Sequence, residues 1–405
     1  MCMITQRWFT YILGILYAGV ILFVFPNAYA EPFEFPKYIL LISGSLFLLF
    51  MLVPTLPGLI KSTKEIQLPL FFLAIFFVGQ IIAFIFHPNY SLALFGAIPR
   101  YQGLLSYLSY IILFIAGMAY ALSKSHTEQK KLFKIISISA IVSCVVGYLS
   151  YTNAIPILNP LLFENRVFST LGNPNIYAAV ICASMFFIFL YQPRAHYKWI
   201  IYIFFALALV SIILSESRSS ILFLILLACA YLLYKMKTKT YAVLAASLML
   251  IIMIFSTALY IRRSDSIHTR VDIWKSSVSL ITSRILVGYG HDYIAPAMRE
   301  VLPLSIQNNN DHYVDQMHNA LLDVLFMHGI VAFVGYVGLG YITIRRSIHK
   351  LSSAIKTHDR LFIFCFISLV SLVVYTLFNS PSITISMMIF FTAGFLCVYP
   401  RTTIS

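Results

Sequence analysis

Runs of about twenty apolar residues recur from one end of the chain to the other, and no other feature narrows the possible folds as far. A run of that length crosses the hydrocarbon of a bilayer as a helix, because in hydrocarbon the backbone must satisfy its own hydrogen bonds. A transmembrane barrel would need ten-residue segments of alternating polarity, and the sequence has none. Composition agrees: 60% of the 405 residues are hydrophobic and 10% are charged, against about 25% charged in soluble domains. The expected class is all-α, a polytopic membrane protein forming a single integral-membrane domain over 1–405.

Twelve spans are expected, near 8–26, 38–60, 68–86, 104–122, 135–152, 175–191, 198–214, 219–235, 241–261, 319–344, 361–379 and 383–399. The first reads as an uncleaved span: its apolar stretch is too long for a signal peptide, and Asn27-Ala28-Tyr29-Ala30 is a poor cleavage site. Five of the six cysteines fall within apolar spans and Cys2 lies at the terminus, so neither a disulfide framework nor a cysteine metal site is expected.

The net charge of +14 invites a nucleic-acid reading, but in a membrane protein Lys and Arg hold loops on the cytoplasmic side, and no nucleic-acid partner is expected. With the N-terminus inside, most of the basic residues fall in cytoplasmic segments such as 124–134, 235–239 and 345–360, where the acids are few. Both termini are therefore expected in the cytoplasm. The basic residues left outside are Arg100, Arg166, Arg218, Arg262, Arg263, Arg270, Arg284 and Arg299 with only Lys37 and Lys275. Retention of a positive loop needs charge alone; a guanidinium adds a planar fork that grips phosphate at two points. An Arg-rich outer face points to a phosphate-bearing ligand there, and the plainer alternative is pairing with outer acids, for which Asp272, Asp292 and Asp315 are the candidates.

Helix polarity sharpens this. Even-numbered spans begin outside, and their N-termini carry partial positive charge and free N–H groups that suit anions. Arg100 lies just before the fourth. Arg166 precedes the sixth, which is expected to start at Asn173-Pro174-Asn175 with Asn173 as N-cap and Pro174 in the first helical position. Arg218 heads the eighth, and His318-Asn319 opens the tenth. Four such ends are able to converge on one diphosphate. Between the ninth and tenth spans lies a polar segment, 262–318, read as an outer cap: an amphipathic helix over 264–283, a turn at Gly288-Tyr289-Gly290, and a flexible loop at 307–311.

The order of motifs is familiar. Arg100-Tyr101-Gln102-Gly103 comes first, then Arg166 with Gly172-Asn173-Pro174-Asn175, then Ser217-Arg218-Ser219. Arg270-Val271-Asp272-Ile273-Trp274, Gly288-Tyr289-Gly290 and His318-Asn319-Ala320-Leu321-Leu322 with Gly329-Ile330 follow. Over about 100–345 the chain resembles the superfamily of O-antigen ligases and polymerases, bacterial envelope glycosyltransferases. The resemblance implies a GT-C-like inner-membrane enzyme with a periplasmic active site and a large periplasmic loop between helices 9 and 10. It implies transfer of a glycan from undecaprenyl diphosphate, by an inverting reaction, to lipid A-core in lipopolysaccharide biosynthesis. Other branches of the resemblance join lipid-linked repeat units or glycosylate protein Ser or Thr, and these motifs do not separate the three. The family's loop Arg and His carry over to Arg218, Arg270 and His318.

The chemistry needs a base for the acceptor hydroxyl and positive charge for the diphosphate leaving group, and Arg supplies the latter without a metal. Arg218 and Arg270 are the expected clamp, with Arg166 and Arg100 next to them. His318, beside a helix N-terminus and several guanidinium groups, is the expected general base, held neutral by its surroundings; otherwise it is a loop histidine capping a helix. Asn173, Asn175 and Asn319 are expected to bind substrate at the helix ends. Asp323, an acid inside an apolar run, is expected to face a cavity or a base. In the set Asp311, His312, Asp315 and His318 the two histidines lack the i, i+4 spacing of helical zinc ligands, so no metal and no cofactor are expected. A transporter or flippase would place charges near the bilayer midplane in corresponding halves, whereas here they gather at the outer ends. A purely structural scaffold would need neither the Arg set nor His318.

Overall fold

A computed structural model describes residues 3–25, 31–55, 64–123, 125–152, 154, 162–163, 166–191, 197–235, 265–299, 301 and 314–400. The long helices are α1 (Met3–Leu22), α2 (Glu34–Leu52), α3 (Lys64–Ile85), α5 (Leu104–Ser123) and α6 (His126–Tyr151), with the short α4 (Tyr90–Phe95) between α3 and α5. A two-residue hairpin, β1 (Leu162–Phe163) and β2 (Arg166–Val167), leads into α7 (Pro174–Ser184), which continues as a 3-10 helix over Met185–Leu190. Then follow α8 (Lys198–Leu214), α9 (Arg218–Lys235), α10 (Asp265–Ser283), α11 (Ile294–Met298), α12 (Ala320–Lys356), α13 (Arg360–Phe378) and α14 (Ile383–Cys397).

The chain is a multi-pass membrane protein. Among the described residues six helices are long and apolar enough to cross a bilayer, in α2, α3, α5, α6, α12 and α13, and Trp8–Leu22, Pro174–Leu190, Lys198–Leu214 and Ile383–Cys397 are shorter apolar helices. Each expected span coincides with a helix except the ninth, 241–261, which lies outside the described residues. Two helices outrun the expected spans. α6 begins at His126, capped by Ser125, whose side chain accepts from Glu128 N–H, and α12 runs on to Lys356. Charge ends an apolar run but not a helix, since Lys and Arg are good helix formers whose stems lie along apolar surface.

Without a hydrophobic drive between helices in lipid, tight packing relies on small residues that let backbones meet. α5 and α14 show this: a Cβ on Gly117 would strike Phe391 O, and one on Gly394 would strike Phe114 O. Tyr17, Tyr110, Tyr120, Phe133 and Phe391 fill the core around that pair.

α12 carries the one departure that shapes the outer region. At Gly329 the backbone turns to φ 70° and ψ −176° inside an otherwise helical run. The break frees the helical acceptor Phe326 O and the donor Ile330 N–H. The segment after α10 takes both: Tyr289 N–H donates to Phe326 O (2.9 Å), Gly290 N–H to Met327 O (2.8 Å), and Ile330 N–H to Ile285 O (2.7 Å). Gly288 and Gly290 have positive φ, as a turn there requires. Irregular backbone at this depth is tolerated where protein buries it. The expected outer segment is thus more than a surface cover: α10 is the expected amphipathic helix, while residues 285–298 reach into the helix bundle. The expected loop at 307–311 lies outside the described residues.

Candidate functional site

The four helix starts singled out in the sequence are tied together by side-chain contacts. Asn173 caps α7, its Oδ1 accepting from Asn175 N–H (2.8 Å) and Ile176 N–H (3.4 Å), with Pro174 in the first helical position. Asn319 caps α12 in the same way, accepting from Leu321 N–H (3.0 Å) and Leu322 N–H (3.1 Å). Each cap contributes about 1 kcal/mol. Arg218 is the first residue of α9, and Arg100 stands four residues before α5.

The place where they meet is the C-terminal end of α13. A helix C-terminus leaves carbonyls unpaired and carries partial negative charge. Arg270, on α10, donates from Nη1 to Phe378 O (2.7 Å), and Asn319 donates from Nδ2 to Leu377 O (3.0 Å). Asn379 Nδ2 donates to Ser219 Oγ (3.3 Å), bringing in the start of α9 beside Arg218. Ser380 Oγ donates to Asp323, which also accepts from Met317 N–H (2.9 Å), and Trp274 Nε1 donates to Met317 O (2.6 Å). Residues 377–380 therefore serve as a platform that holds Arg270, Asn319 and Asp323 directly and the head of α9, where Arg218 lies, through Ser219; three helices, α9, α10 and α12, are gathered there, with His318 next to Asn319 in the chain.

The electrostatics of that assembly are lopsided. Burial pulls the Arg270 guanidinium below its ordinary pKa, and Arg218 beside it adds to the shift; an arginine stays charged regardless. Among the described residues no carboxylate pairs with Arg270. Burial, then Arg270 and Arg100, bring His318 down to about 4, against a smaller upward pull from Asp315. His318 is thus a neutral imidazole at neutral pH, the form that accepts a proton.

Arg100 and Arg166 are bound differently. Arg100 pairs with Asp315 (Nε to Oδ2, 2.7 Å). Arg166 is buried; its Nε donates to Ser215 O (2.8 Å) and its Nη2 to Asn175 Oδ1 (3.1 Å). It ties the start of α7 to the turn that sets up Arg218. Arg166→Lys keeps the charge and loses the fork; the expected result is a lower melting temperature, consistent with loss of a charged hydrogen bond worth about 1.5–3 kcal/mol, together with reduced activity, checked by thermal unfolding and transfer assay of the same preparation. Of the acids expected to pair with outer arginines, Asp315 does. Asp292 instead accepts from the backbone N–H groups of Ala97 and Gln102 (both 2.9 Å), and Asp272 makes no ion pair among the described residues.

Backbone strain gathers at the same places. Tyr101, Ser169, Glu216 and His318 have φ near +50° without being glycine and lie at or within three residues of Arg100, Arg166, Arg218 or the His318 turn; Asp292 has the same φ and bonds to residues 97 and 102, while His358 shares it away from these positions. Such residues cost about 1–3 kcal/mol each and persist where surrounding structure fixes them, which is common at functional sites.

Sequence reasoning did not find Ser380, Glu31 or Glu34, and it named Gln102 and Gly329 only within motifs, with no role for the first and no break at the second. The one available signal was Gly329 itself, a glycine inside an apolar helix. Asp311 and His312 lie outside the described residues, and among those described no group of three or more His, Cys, Asp and Glu is placed to hold a metal ion.

An apolar cleft of about 310 Å³ opens between α12, α13 and α14. It starts at Ala320 and Leu321, two residues past His318, and runs along Val337, Gly340 and Tyr341 to Ile344.

Compared with known protein families, residues 203–337 match the model of the O-antigen ligase family. The match covers a third of the chain and includes Arg218, Arg270, His318, Asn319 and Asp323, while Arg100, Arg166, Asn173 and Asn175 lie outside it. No curated protein matches the chain.

Proposed function

From the premise that residues 203–337 are an O-antigen ligase family domain, which makes the protein an O-antigen ligase/polymerase-type membrane glycosyltransferase, we propose a specific reading of donor, base and leaving-group clamp. The donor is a glycan on undecaprenyl diphosphate. Arg218 and Arg270 hold the diphosphate, His318 is the general base, and the apolar cleft starting at Ala320 takes the polyprenyl chain. The observation that carries this is the grouping of Arg218, Arg270 and His318 near the end of α13: Arg270 is held by Phe378 O and feels the charge of Arg218, and His318 feels that of Arg270.

In the transfer step an acceptor hydroxyl oxygen attacks the anomeric carbon from the side opposite the diphosphate. The C–O bond to diphosphate breaks, its electron pair leaves with the phosphate oxygen, and the hydroxyl proton passes to His318. The configuration at the anomeric carbon inverts. Arg218 and Arg270 stabilise the charge growing on the bridging oxygen; removing one such donor typically costs about 10²–10³-fold in rate. Burial strengthens these interactions and keeps His318 unprotonated, so the same surroundings prepare the base and the clamp.

The acceptor is a glycan, with lipid A-core in the ligase form of the reading and a second lipid-linked repeat unit in the polymerase form. The orientation that fits is termini in the cytoplasm and the His318 face in the periplasm. Glycan analysis of a deletion strain complemented with wild type, His318→Ala or Arg218→Ala tests it. Wild type is expected to restore long glycan and the variants to leave glycan on the lipid carrier. Single repeat units attached to lipid A-core in the deletion strain would identify a polymerase, and full complementation by both variants would overturn the assignment.

The cleft gives a separate prediction. Gly340 has open space around it, with nothing within 4 Å of an added Cβ. Gly340→Trp should fill the cleft and raise KM for a long-chain donor by about tenfold or more, with little change for a donor truncated to a few isoprene units, measured in reconstituted vesicles.

A further inference from the structure

A second pocket adjoins the His318 turn and has the opposite chemistry from the Arg side. It encloses about 250 Å³ and is lined by Glu31, Glu34, Asp315, Arg100, Gln102 and Asn173, with Phe33 and the serines 380 and 382 at its walls. Three carboxylates and one guanidinium give its lining a net negative charge. The cations nearest these acids are engaged: Arg100 with Asp315 (2.7 Å) and the fully buried Lys37 with Glu34 (3.4 Å). Glu31 accepts from the backbone N–H groups of Phe33 (3.1 Å), Glu34 and Phe35 (2.8 Å).

The carboxylates alone would be no more than an acidic surface. Gln102 adds an independent observation. It is 6% exposed, its Oε1 accepts from Tyr110 OH (3.1 Å), and its Nε2 is buried without a hydrogen-bond partner. A buried amide donor left unpaired costs about 1–3 kcal/mol, and buried polar groups of this kind are normally met by water or ligand. The pocket therefore gathers carboxylate acceptors, two amide side chains and an aromatic wall in one place, and Gln102 sits between it and the neighbouring cavity that holds Asp292 and Asp323. Ionised carboxylates accept hydrogen bonds only, from hydroxyl or ammonium groups, and strong acceptors facing a phosphate oppose it by like charge.

We propose that this pocket is the acceptor subsite and that it takes a neutral or amino-bearing sugar residue, and rejects one carrying phosphate. The proposal rests on the transferase reading for the word acceptor; the saccharide chemistry of the pocket stands without it. Arg100 and Asp315 form the shared wall between the two regions, and Asp315 lies three residues before His318, so a sugar seated here presents a hydroxyl toward the base. Substrate charge is thereby sorted: diphosphate to Arg218 and Arg270, uncharged or cationic sugar to the carboxylates. A phosphate-dense inner-core acceptor does not fit such a lining, whereas an unphosphorylated terminal sugar does.

The test uses the full chain in phospholipid nanodiscs, prepared without glycoside detergents, and saturation-transfer NMR. The probes are methyl α-D-glucopyranoside, its 2-amino and 2-acetamido analogues, and glucose 6-phosphate and glucosamine 6-phosphate. Neutral and amino sugars are expected to bind in the millimolar range, with the 6-phosphates weaker by about tenfold or more. Asp315→Asn should shrink that phosphate penalty severalfold, and Gln102→Leu should weaken every sugar. Arg270→Ala should leave the neutral and amino sugars within about twofold and weaken any residual binding of the 6-phosphates, because it belongs to the diphosphate side. Equal or tighter binding of the phosphates by the wild-type protein, or no binding by any probe at about 50 mM, overturns the proposal whether or not the variants fold. If the panel binds with the expected selectivity while no transfer from a lipid-linked donor is found, the transferase reading falls and the saccharide pocket stands.

Discussion

His318→Ala lowers transfer by about 10²–10⁴-fold, the range for removal of a positioned general base, with donor binding little changed. His318→Gln does the same, since an amide keeps the shape of a hydrogen-bonding side chain without basicity. The pH dependence is the more specific result. An ordinary histidine at pH 6 is mostly protonated and a poor base. His318 sits at about 4, lowered by burial first and by Arg270 and Arg100 next, so nearly all of it is neutral at pH 6 and protonation removes the base only as pH falls toward 4. The acid limb of kcat/KM is therefore expected near pH 4 to 5 rather than at 6.5. Removing the charge of Arg270 takes away one downward pull, so Arg270→Gln should move that limb upward while also reducing the rate through loss of the diphosphate clamp. A wild-type limb at 6.5, or one that Arg270→Gln leaves in place, would show that the surroundings of His318 do not set its basicity during turnover. Full activity of His318→Ala would remove it from the reaction.

Much of this arrangement is readable in the chain because it depends on local rules. Asn173-Pro174 and His318-Asn319 mark helix starts: the expected Asn173 cap forms, and at the second start the cap is Asn319 and not His318. Arg218 falls at the head of its helix for the same reason. The apolar runs locate the spans because burial in lipid is decided by composition over about twenty residues. What local rules do not reach is pairing across the chain. Nothing near Arg100 indicates Asp315, 215 residues on, and nothing near Asp323 indicates Ser380. Asp292 looks like a partner for an arginine, yet it is spent on two backbone N–H groups around residues 97–102. Glu31 and Glu34 stand a few residues before the second expected span and become part of a pocket only when the link after α13 and the turn before α7 close around them. α6 and α12 run past their apolar spans because hydropathy registers charge, and helices tolerate charge.

Gly329→Ala should be the most damaging single change outside the Arg and His set. At φ 70° and ψ −176° the residue occupies backbone space that is almost confined to glycine, and an added Cβ would stand 2.5 Å from Leu286 O and 2.9 Å from Gly288 N. Strain of about 1–3 kcal/mol is joined by weakening of the three hydrogen bonds that hold residues 285–290 to the break, at about 1 kcal/mol each. A total of about 3–6 kcal/mol lowers the melting temperature by the order of 10 °C. Gly340→Ala on the same helix is the control: it meets nothing, and exchanging glycine for alanine in a helix interior is worth up to about 1 kcal/mol of added stability. The two substitutions should thus move thermal unfolding in opposite directions. The consequence for function follows from what the latched segment carries. It positions His291, whose carbonyl accepts from His87 Nε2 (3.1 Å), and Asp292, which fixes the backbone on either side of Arg100. Loosening the latch therefore releases the wall shared by the diphosphate side and the carboxylate pocket. Gly329→Ala should raise hydrogen exchange at 97–102 as well as at 285–292, although the first of these segments lies more than two hundred residues away in sequence. Equal melting temperatures for Gly329→Ala and Gly340→Ala, or exchange confined to the mutated helix, would show that the break is an isolated kink without mechanical connection to the site.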